Sequence, residues 1–399
     1  MDRRRFLSLA GLAGTGTLAG CTAPEGRPDD PTGDGVDDGD TSSDAYAVET
    51  VASGFEHPWA LAFLPDGDLL VTERAGTLDL VDRGSGDLRV VEGTPAVDAR
   101  GQGGLLDVAL HPEYPDRRWT YLTYSAANAD GDTATHLGRG RLDPESARLE
   151  GFEVLHVAEP FVDSTGHYGS RVVFGDDGRL YVTVGDRQFK DFGPDHVAQD
   201  LGVELGKTLR LTADGSVPDD NPFVDDPDAR DPIFSFGHRN AQGLTVHPET
   251  GALWESEYGE RDGDEINVIR EGENYGWPVA DEGCTYDSGE PIGVSHDDRE
   301  DVTAPAYSWP CGSGGFPPGG MTFCTGTAFP DWEGDLFVGG LAVRALGRLT
   351  VEGSTVTGEE RLLADRGWRV RTVAEAPDTG HLYVAVDAGD APVVRLMPA

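Results

Sequence analysis

One sequence pattern recurs along this chain and restricts what it can fold into. An apolar residue is followed by a turn containing Pro, Asp or Gly, and then by a strand of alternating apolar and polar residues. The four clear copies and two looser ones are FLPDGDLLVTE from Phe63, FGDDGRLYVTVGD from Phe174, VHPETGALWESE from Val246, EAPDTGHLYVAVD from Glu375, LHPEYPDRRWTYLTYS from Leu110 and FPDWEGDLFVGG from Phe329. The turns fall near residues 66, 113, 177, 249, 332 and 378, so they are separated by 47, 64, 72, 83 and 46 residues. Each interval can hold four short strands with their loops. The pattern therefore predicts an all-β fold, a six-bladed β-propeller.

Two other all-β architectures fit this pattern less well. A pair of β-sandwiches would show closer and more even strand spacing without a repeated turn, and a solenoid would have a shorter, stricter period. In a propeller, the loops at one end surround a central channel where groups from several blades converge. The longest intervals lie between Asp177 and Trp332, so we expect the blades of this region to contribute most to function.

The charge of the chain is extreme. It has 399 residues with 31 basic and 72 acidic side chains, a formal net charge of −41. Lysine occurs only at Lys190 and Lys207, and the other basic residues are arginines. Such a surface repels nucleic acid and anionic lipid headgroups, so neither is an expected partner. Because the acidic residues are spread along the whole chain, we favour adaptation to a salty, halophilic environment over an acidic patch for a cationic partner.

The first 44 residues have the composition of a targeting segment and a tether. Arg3 and Arg4, followed by an apolar run that ends in Leu-Ala-Gly-Cys at Cys21, predict a twin-arginine lipoprotein signal peptide over residues 1–21. The run is too short to span a bilayer permanently. Residues 22–44 are rich in Asp, Gly, Pro, Ser and Thr and predict a disordered acidic tether. We therefore expect the propeller domain, residues 45–399, to be exported and held on the outer face of the membrane only through a lipid on Cys21.

Three further cysteines remain, and an exported chain permits a disulfide among them. Cys284 and Cys311 lie in a Gly/Pro-rich insertion and are the first candidates for a pair. Cys324 lies in a more strand-like stretch and could be buried and free. The sequence alone leaves the pairing open.

A histidine and an aspartate lie at the open end of one predicted hairpin. The stretch STGHYGSRVVFGDDGRLYVTVGDR alternates around an Asp-Asp-Gly turn, and residues pair across a hairpin when their numbers sum to a constant. His167 and Asp186 sum to 353, which centres their pairing on this turn. A carboxylate beside an imidazole orients the ring and stabilises its protonated form, as a general base requires. The same contact is also a common structural hydrogen bond, and the pair alone does not decide between the two.

Several motifs resemble those of the soluble quinoprotein glucose and sorbosone dehydrogenases. They are HPWALAFLPDGDLLVTER, GQGGLLDVALHP, GKTLRLTADGSVPDDNPF, GHRNAQG, GDEIN, NYGWP and WRVRTVAEAPD, in this order from about Ala52 to the C-terminus. The turn motif alone is weak, but GHRN-x-QG followed closely by GDEIN and NYGWP is specific. The resemblance implies a six-bladed propeller that uses pyrroloquinoline quinone and calcium to oxidise an aldose. It also implies that His167 is the catalytic base and Asp186 its support.

The resemblance further implies which residues hold the quinone. Its three carboxylates require cations, and Arg239, Asn240, Arg369 and Arg371 match the family's cofactor-holding positions. The alternation of Arg369 and Arg371 points both side chains to one face of a strand. Structural ion pairs with the many carboxylates are the other interpretation of these arginines. The family pattern often has a lysine in the region of LAVRALGRL, where this chain has none, and Arg344 could substitute for it.

Calcium would be held by oxygen ligands on the turn EYGERDGDEIN. By resemblance, the carbonyls of Gly259 and Glu260 hold the calcium of the cofactor, while Glu265 and the carbonyl of Tyr275 bind a structural ion. Glu260 replaces a proline common at that position, and a backbone ligand tolerates this change. The alternative is that these acids are solvated halophilic surface. Gln102 resembles the polar residue near the sugar and the quinone, although it could equally brace a tight loop.

Three functions are compatible with these features. The first is a calcium-dependent quinoprotein that oxidises the anomeric hydroxyl of an aldose to a lactone and passes electrons to a membrane or soluble acceptor. The second is a calcium-dependent sugar lactone hydrolase, which would not require the arginine set. The third is a non-catalytic, exported sugar-binding propeller. The motif positions favour the first.

Overall fold

Each of the six predicted turns joins the first and second strands of a four-stranded sheet. The computed structural model describes residues 45–399. The predicted signal peptide, its Cys21 and the predicted tether lie outside the described residues. The six sheets are the blades of a β-propeller, and neighbouring strands within them are antiparallel. The predicted fold class and blade number are therefore confirmed.

The described chain contains 24 strands. In chain order they are β1 (Tyr46–Phe55), β2 (Pro58–Phe63), β3 (Leu69–Glu73), β4 (Leu78–Val81), β5 (Leu88–Val90), β6 (Leu105–Leu110), β7 (Trp119–Ala127), β8 (Thr133–Asp143), β9 (Arg148–Val157), β10 (Val172–Phe174), β11 (Leu180–Val184), β12 (Lys207–Leu211), β13 (Ile233–Phe236), β14 (Ala241–Val246), β15 (Leu253–Glu257), β16 (Asp264–Ile269), β17 (Tyr307–Trp309), β18 (Pro318–Phe323), β19 (Leu336–Gly340), β20 (Ala345–Glu352), β21 (Thr355–Leu362), β22 (Val370–Glu375), β23 (Leu382–Val386) and β24 (Ala391–Pro398). Three single-turn 3-10 helices are interspersed, at His296–Asp298, Pro330–Trp332 and Ala364–Arg366. Strands β2–β5, β6–β9, β10–β13, β14–β17 and β18–β21 form blades one to five, and β22–β24 form the sixth blade together with β1.

The core of the protein lies between the blades. Six apolar clusters occupy the six interfaces between adjacent blades. Because side chains alternate between the two faces of a strand and each face meets a neighbouring blade, both sets of side chains are buried. The second strand of five blades accordingly begins with leucine directly after the turn and has all five residues buried, as in Leu69–Glu73 and Leu382–Val386.

The ring is closed by the two ends of the described chain. Strand β1 is the outermost strand of the sixth blade and pairs with β24, from Tyr46 opposite Pro398 to Phe55 opposite Ala391. Phe55 then packs with Leu69 of the first blade and with Tyr383 and Val393 of the sixth. This closure joins the first and last blades over a continuous apolar interface.

The cysteines are arranged as the composition of their segments indicated. Cys284 and Cys311 form a disulfide with their Cα atoms 5.4 Å apart. Cys324 is buried and free. Among the described residues, no helix is long and apolar enough to cross a membrane.

Candidate active site

A cavity of about 490 Å³ opens at one end of the propeller axis. With one exception, its lining residues lie at the start of the first strand of a blade, on the loop before it or on the loop after the second strand, and all six blades contribute. They are Trp59, Arg74, Gln102, His167, Gln188, Lys190, Arg239, Asn240, Gln242, Tyr258, Gly259, Tyr286, Pro317, Leu341, Ala342, Arg369, Arg371 and Asp387. The exception is Tyr286, which belongs to the insertion between β16 and β17. The predicted residues His167, Arg239, Asn240, Arg369, Arg371, Gln102 and Gly259 thus meet at one cavity.

His167 and Asp186 form a buried pair at this cavity. The imidazole Nδ1 lies 2.7 Å from Oδ1 of Asp186. Oδ2 of Asp186 accepts the indole N–H of Trp277 at 2.9 Å, and Oδ1 also accepts the backbone N–H of Gln188 at 2.8 Å. The carboxylate is therefore fixed from three sides. Because Nδ1 is engaged with Asp186, Nε2 is the nitrogen left to accept a proton from a ligand.

The electrostatic environment keeps this imidazole neutral. Burial lowers the pKa of His167, and the charges of Arg239 and Lys190 lower it further, against the opposing hydrogen bond from Asp186. Burial would raise the pKa of Asp186, but its hydrogen bond to His167 and the nearby charge of Arg239 outweigh burial and lower the value. The pair thus combines a neutral base with an ionised carboxylate, which is the state that general-base chemistry requires.

The backbone that presents His167 is held in an uncommon conformation. His167 has a φ of 47°, and its N–H donates to Oε1 of Gln102 at 2.8 Å. Asn240 accepts the N–H of Gly169 at 3.1 Å. A Cβ atom at Gly185 would lie 2.3 Å from the carbonyl oxygen of His167, so only glycine fits there. Gln102 therefore braces the loop and also lines the cavity, so a structural role and a place at the site are compatible.

The hairpin register differs from the prediction by one residue. Val172 pairs with Val182, so paired residues sum to 354 rather than 353. His167 and Asp186 both lie beyond the ends of β10 and β11. Their side chains meet across two loops, and the two residues are not paired in the β-ladder of the hairpin.

Cations are concentrated around the cavity. Arg74, Lys190, Arg239, Arg369 and Arg371 line it, and Asp387 is the lining carboxylate. Arg371 donates to Asp387 at 2.8 Å and to Gln242 at 3.0 Å. Burial opposes the ionisation of Asp387, but Arg371, His57 and Arg369 lower its pKa to about 2. The alternating arginines therefore face the same cavity, as predicted, and they are also engaged in ion pairs.

The cavity contains a lysine that does not come from the LAVRALGRL region. Arg344 is exposed and is not among the residues that line the cavity, so it does not substitute for the family lysine. Lys190 lies on the loop after β11 and lines the cavity instead. Sequence reasoning missed this residue, although its rarity in the chain was a signal. It also missed Arg74 and Asp387, although each ends a quoted motif: Arg74 is the last residue of HPWALAFLPDGDLLVTER, and Asp387 is the last residue of EAPDTGHLYVAVD.

The residues predicted to hold calcium divide between two places in the fourth blade. Gly259 lines the main cavity. Glu265 and Tyr275 line a second void of about 10 Å³, together with Glu257, Asp281 and one cation, Arg239. The side chain of Glu260 faces neither solvent nor this void: it forms ion pairs with Arg239 and Lys190.

The second void has the chemistry of a cation site. Burial raises the pKa of Glu265 well above its ordinary value, and the charges of Glu257 and Asp281 raise it further. Burial is also the main cause that raises the pKa of Asp281 to about 8. Oε1 of Glu265 is buried and has no hydrogen-bond partner. Converging carboxylates with an unpaired oxygen fit a hard divalent ion such as calcium.

A buried ion triad lies beside this void. Nδ1 of His238 lies 3.1 Å from Glu255 and 3.2 Å from Glu257. Burial would lower the pKa of His238, but the two carboxylates raise it. Glu257 also accepts the backbone N–H of Arg239 at 2.7 Å. Through Glu257, the triad therefore connects the void to Arg239, whose side chain also lines the main cavity.

The chain is similar to proteins whose names describe sugar oxidation. Residues 55–395 match the family described as Glucose / Sorbosone dehydrogenase. The aldose sugar dehydrogenase YliI of Escherichia coli (strain K12) is 38% identical over 355 residues, which cover 88% of this chain and 92% of that protein. The structure of the soluble aldose sugar dehydrogenase from Escherichia coli in its apo form has a TM-score of 0.83 at 38% identity, covering 89% of this chain and 100% of that chain. The PQQ-bound form of aldose sugar dehydrogenase from Streptomyces coelicolor has a TM-score of 0.73 at 29% identity, covering 89% and 98%.

Proposed function

Because the chain belongs to the glucose/sorbosone dehydrogenase family, we propose that it is an aldose sugar dehydrogenase that depends on pyrroloquinoline quinone and calcium. It oxidises the anomeric hydroxyl of an aldose to a lactone. The PQQ-bound relative supports the identity of the cofactor. The sugar lactone hydrolase and the non-catalytic propeller are less well supported, because neither accounts for the cations gathered in the cavity.

One observation carries this proposal most directly. The chain has a formal net charge of −41, yet five cations line one cavity. Two carboxylates oppose them: Asp387, which also lines the cavity, and Glu260, which pairs with Lys190 and Arg239. The local excess is therefore three positive charges. Pyrroloquinoline quinone carries three carboxylates, and planar guanidinium groups bind carboxylates in pairs. The cavity has the charge and the donors that this anion requires.

We assign the roles of the chain's own residues from their geometry. Nε2 of His167 accepts the proton of the sugar hydroxyl, and Asp186 holds the ring in the correct tautomer and stabilises the imidazolium. Arg239, Arg369, Arg371 and Asn240 bind the cofactor. When bound, pyrroloquinoline quinone would supply an electrophilic carbonyl as hydride acceptor, and the carbonyls of Gly259 and Glu260 would hold a calcium ion whose charge would polarise it. Glu265 and the carbonyl of Tyr275, beside Glu257 and Asp281, would hold a structural calcium.

The experiment that tests this function is reconstitution. The purified protein is stripped with a chelator, loaded with pyrroloquinoline quinone and calcium in high salt, and assayed for dye reduction with glucose and other aldoses. We expect quinone uptake and sugar-dependent reduction. Absence of both would reject the proposal.

A substitution at the base separates chemistry from binding. His167→Gln should lower turnover by about 10²- to 10⁴-fold while quinone uptake changes little. His111→Gln is the matched control, because His111 is a buried histidine outside the cavity, and it should retain activity. Full turnover by His167→Gln would require a different base.

We also propose that the enzyme is exported by the twin-arginine pathway and anchored through Cys21, with electrons passing to a membrane or soluble acceptor. The support is the sequence of residues 1–21. Replacement of Cys21 by serine should release the protein from the membrane fraction, and retention there would contradict the anchor.

A further inference from the structure

Glu260 occupies an unusual position for a carboxylate. It is 6% exposed, and both of its oxygens contact Nζ of Lys190, while Oε2 also accepts from Nη2 of Arg239. Lys190 belongs to the third blade, and Arg239 and Glu260 belong to the fourth. Lys190, Arg239 and Glu260 therefore form a second ion triad, which links two blades at the wall of the cavity.

Lys190 and Arg239 contact Glu260, and both also face the cavity. Lys190 and Arg239 are lining residues, and the Lys190 side chain is 54% exposed. Nε of Arg239 is buried and has no hydrogen-bond partner, while Nη1 donates to the carbonyl of Tyr258 at 3.1 Å. The two cations thus have an internal partner before any ligand enters.

We infer that Glu260 is an internal counter-ion for Lys190 and Arg239, and that a carboxylate of the quinone takes its place on Lys190 when the cofactor binds. The inference rests on the proposed function and concerns the affinity of the same site. The acidic side chain therefore weakens cofactor binding, but it holds the two cations in place when the cofactor is absent.

The sign of the effect follows from Coulomb's law. Glu260 places a negative charge against the same two cations that attract an anionic ligand, so it competes with that ligand. A neutral isostere leaves Lys190 free to bind the cofactor and raises the positive charge of the cavity by one. We expect Glu260→Gln to bind pyrroloquinoline quinone about tenfold more tightly than the wild-type protein. If Glu260 instead served only to orient the cations, the same change would weaken binding.

The experiment is a binding titration that does not require turnover. Calcium-loaded wild type, Glu260→Gln, Lys190→Gln and the double variant are titrated with pyrroloquinoline quinone, and binding is followed by tryptophan fluorescence. Lys190→Gln should weaken binding, and the gain from Glu260→Gln should shrink in its background, because the two residues act through one contact. Asp335→Asn is the matched control: it removes a carboxylate that pairs with Arg348 at 2.6 Å outside the cavity and should leave the affinity unchanged.

A second measurement reports on Lys190 itself. The only other lysine, Lys207, is fully buried and donates to three backbone carbonyls, so acetylation by N-hydroxysuccinimidyl acetate can be assigned to Lys190 by peptide mass. Glu260→Gln should speed this acetylation in the quinone-free protein, and quinone should slow it in both proteins.

The outcomes separate the two proposals. Tighter binding by Glu260→Gln together with quinone protection of Lys190 supports the counter-ion. Equal or weaker binding by Glu260→Gln, or labelling of Lys190 that quinone does not change, overturns it while the proposed function stands. If the wild-type protein binds no quinone, both proposals fall.

Discussion

Asp186 connects more parts of the site than any other single residue. It holds Nδ1 of His167, the indole of Trp277 and the backbone N–H of Gln188, and His196 lies 3.8 Å from its Oδ2. Trp277 comes from the fourth blade and the others from the third. One buried carboxylate thus fixes the ring that faces the cavity and the loop that carries Lys190.

Asp186→Asn should therefore lower turnover by about 10²- to 10⁴-fold, with a small effect on quinone binding. Because burial lowers the pKa of His167 below its ordinary 6.5, kcat/KM of the wild type should fall only below that pH. Asp186 opposes this lowering, so the acidic limb of any residual activity should shift to still lower pH in the variant. A pH–rate profile checks both points, and an unchanged acidic limb would show that His167 is not the titrating group.

At the scale of single elements, the fourth blade buries a cluster of carboxyl groups on its second and third strands. Strands β15 and β16 place Glu255, Glu257 and Glu265 on adjacent strands, where Glu257 and Glu265 are direct partners. Asn267 donates to both Glu257 and Glu265. Without a cation, this arrangement sets like charges against each other in a buried site.

The metal-free protein should consequently lose stability as the pH rises. A carboxyl whose folded pKa is raised, such as that of Asp281 at about 8, favours the unfolded state once the pH exceeds its ordinary pKa of 3.8. Thermal melts of the chelated protein should therefore show lower stability at pH 8.5 than at pH 6. Calcium at about 100 times its Kd should add about 2.7 kcal/mol.

Glu265→Gln isolates the contribution of this cluster. The variant should show a smaller loss of stability with pH when chelated and little stabilisation by calcium. Glu204→Gln serves as the control, since Glu204 is a buried carboxylate paired with His156 and Arg230, and it should keep the calcium response. A full calcium response in Glu265→Gln would place the ion elsewhere.

These elements also show how far the sequence could lead. The turns predicted the six blades because each turn sits at the same place, between the first and second strand, and in five blades it is followed by a buried five-residue strand. The His167 and Asp186 pair followed from hairpin numbering to within one residue, although loops rather than strands bring the two together. Arg74 and Asp387 each end a quoted motif directly after a second strand, but only the closed ring shows that these positions face the cavity. Lys190 lies on a loop outside the quoted motifs, and its partner Glu260 comes from the neighbouring blade.

On the scale of the whole molecule, Arg171 lies where the blades converge. Its guanidinium group pairs with Asp107 of the second blade at 3.2 Å, donates to the carbonyl of Gln242 of the fourth at 2.7 Å, and lies 3.9 Å from the ring centre of Trp59 of the first. A Cβ at Gly320 of the fifth blade would come within 2.6 Å of its Nη2. Arg171 lines a chamber of about 280 Å³ formed by the first strands, while Trp59 and Gln242 line the active-site cavity. One side chain therefore stands between the two spaces and ties the blades together.

Arg171→Met should lower the free energy of unfolding by about 3–5 kcal/mol, because it leaves Asp107 buried without its partner. Adding Asp107→Leu should recover much of this loss, since no unpaired charge remains. The midpoint of denaturant unfolding measures both effects. Arg148→Met provides the comparison, because its pair with Glu92 is exposed, and it should cost at most about 1 kcal/mol. If Arg171→Met also costs at most about 1 kcal/mol, the buried pair of Arg171 and Asp107 contributes nothing to stability beyond what an exposed pair does.

The pairing of β1 with β24 has a consequence for the order of assembly. Strand β24 is the last strand of the described chain, so the partner of β1 is synthesised after every other strand of the propeller. Until β24 has been made, the hydrogen-bonding edge of β1 is unmatched. The ring, and with it the gathering of cations from all six blades, can therefore be completed only once β24 is present, and a chain truncated before Ala391 should have neither.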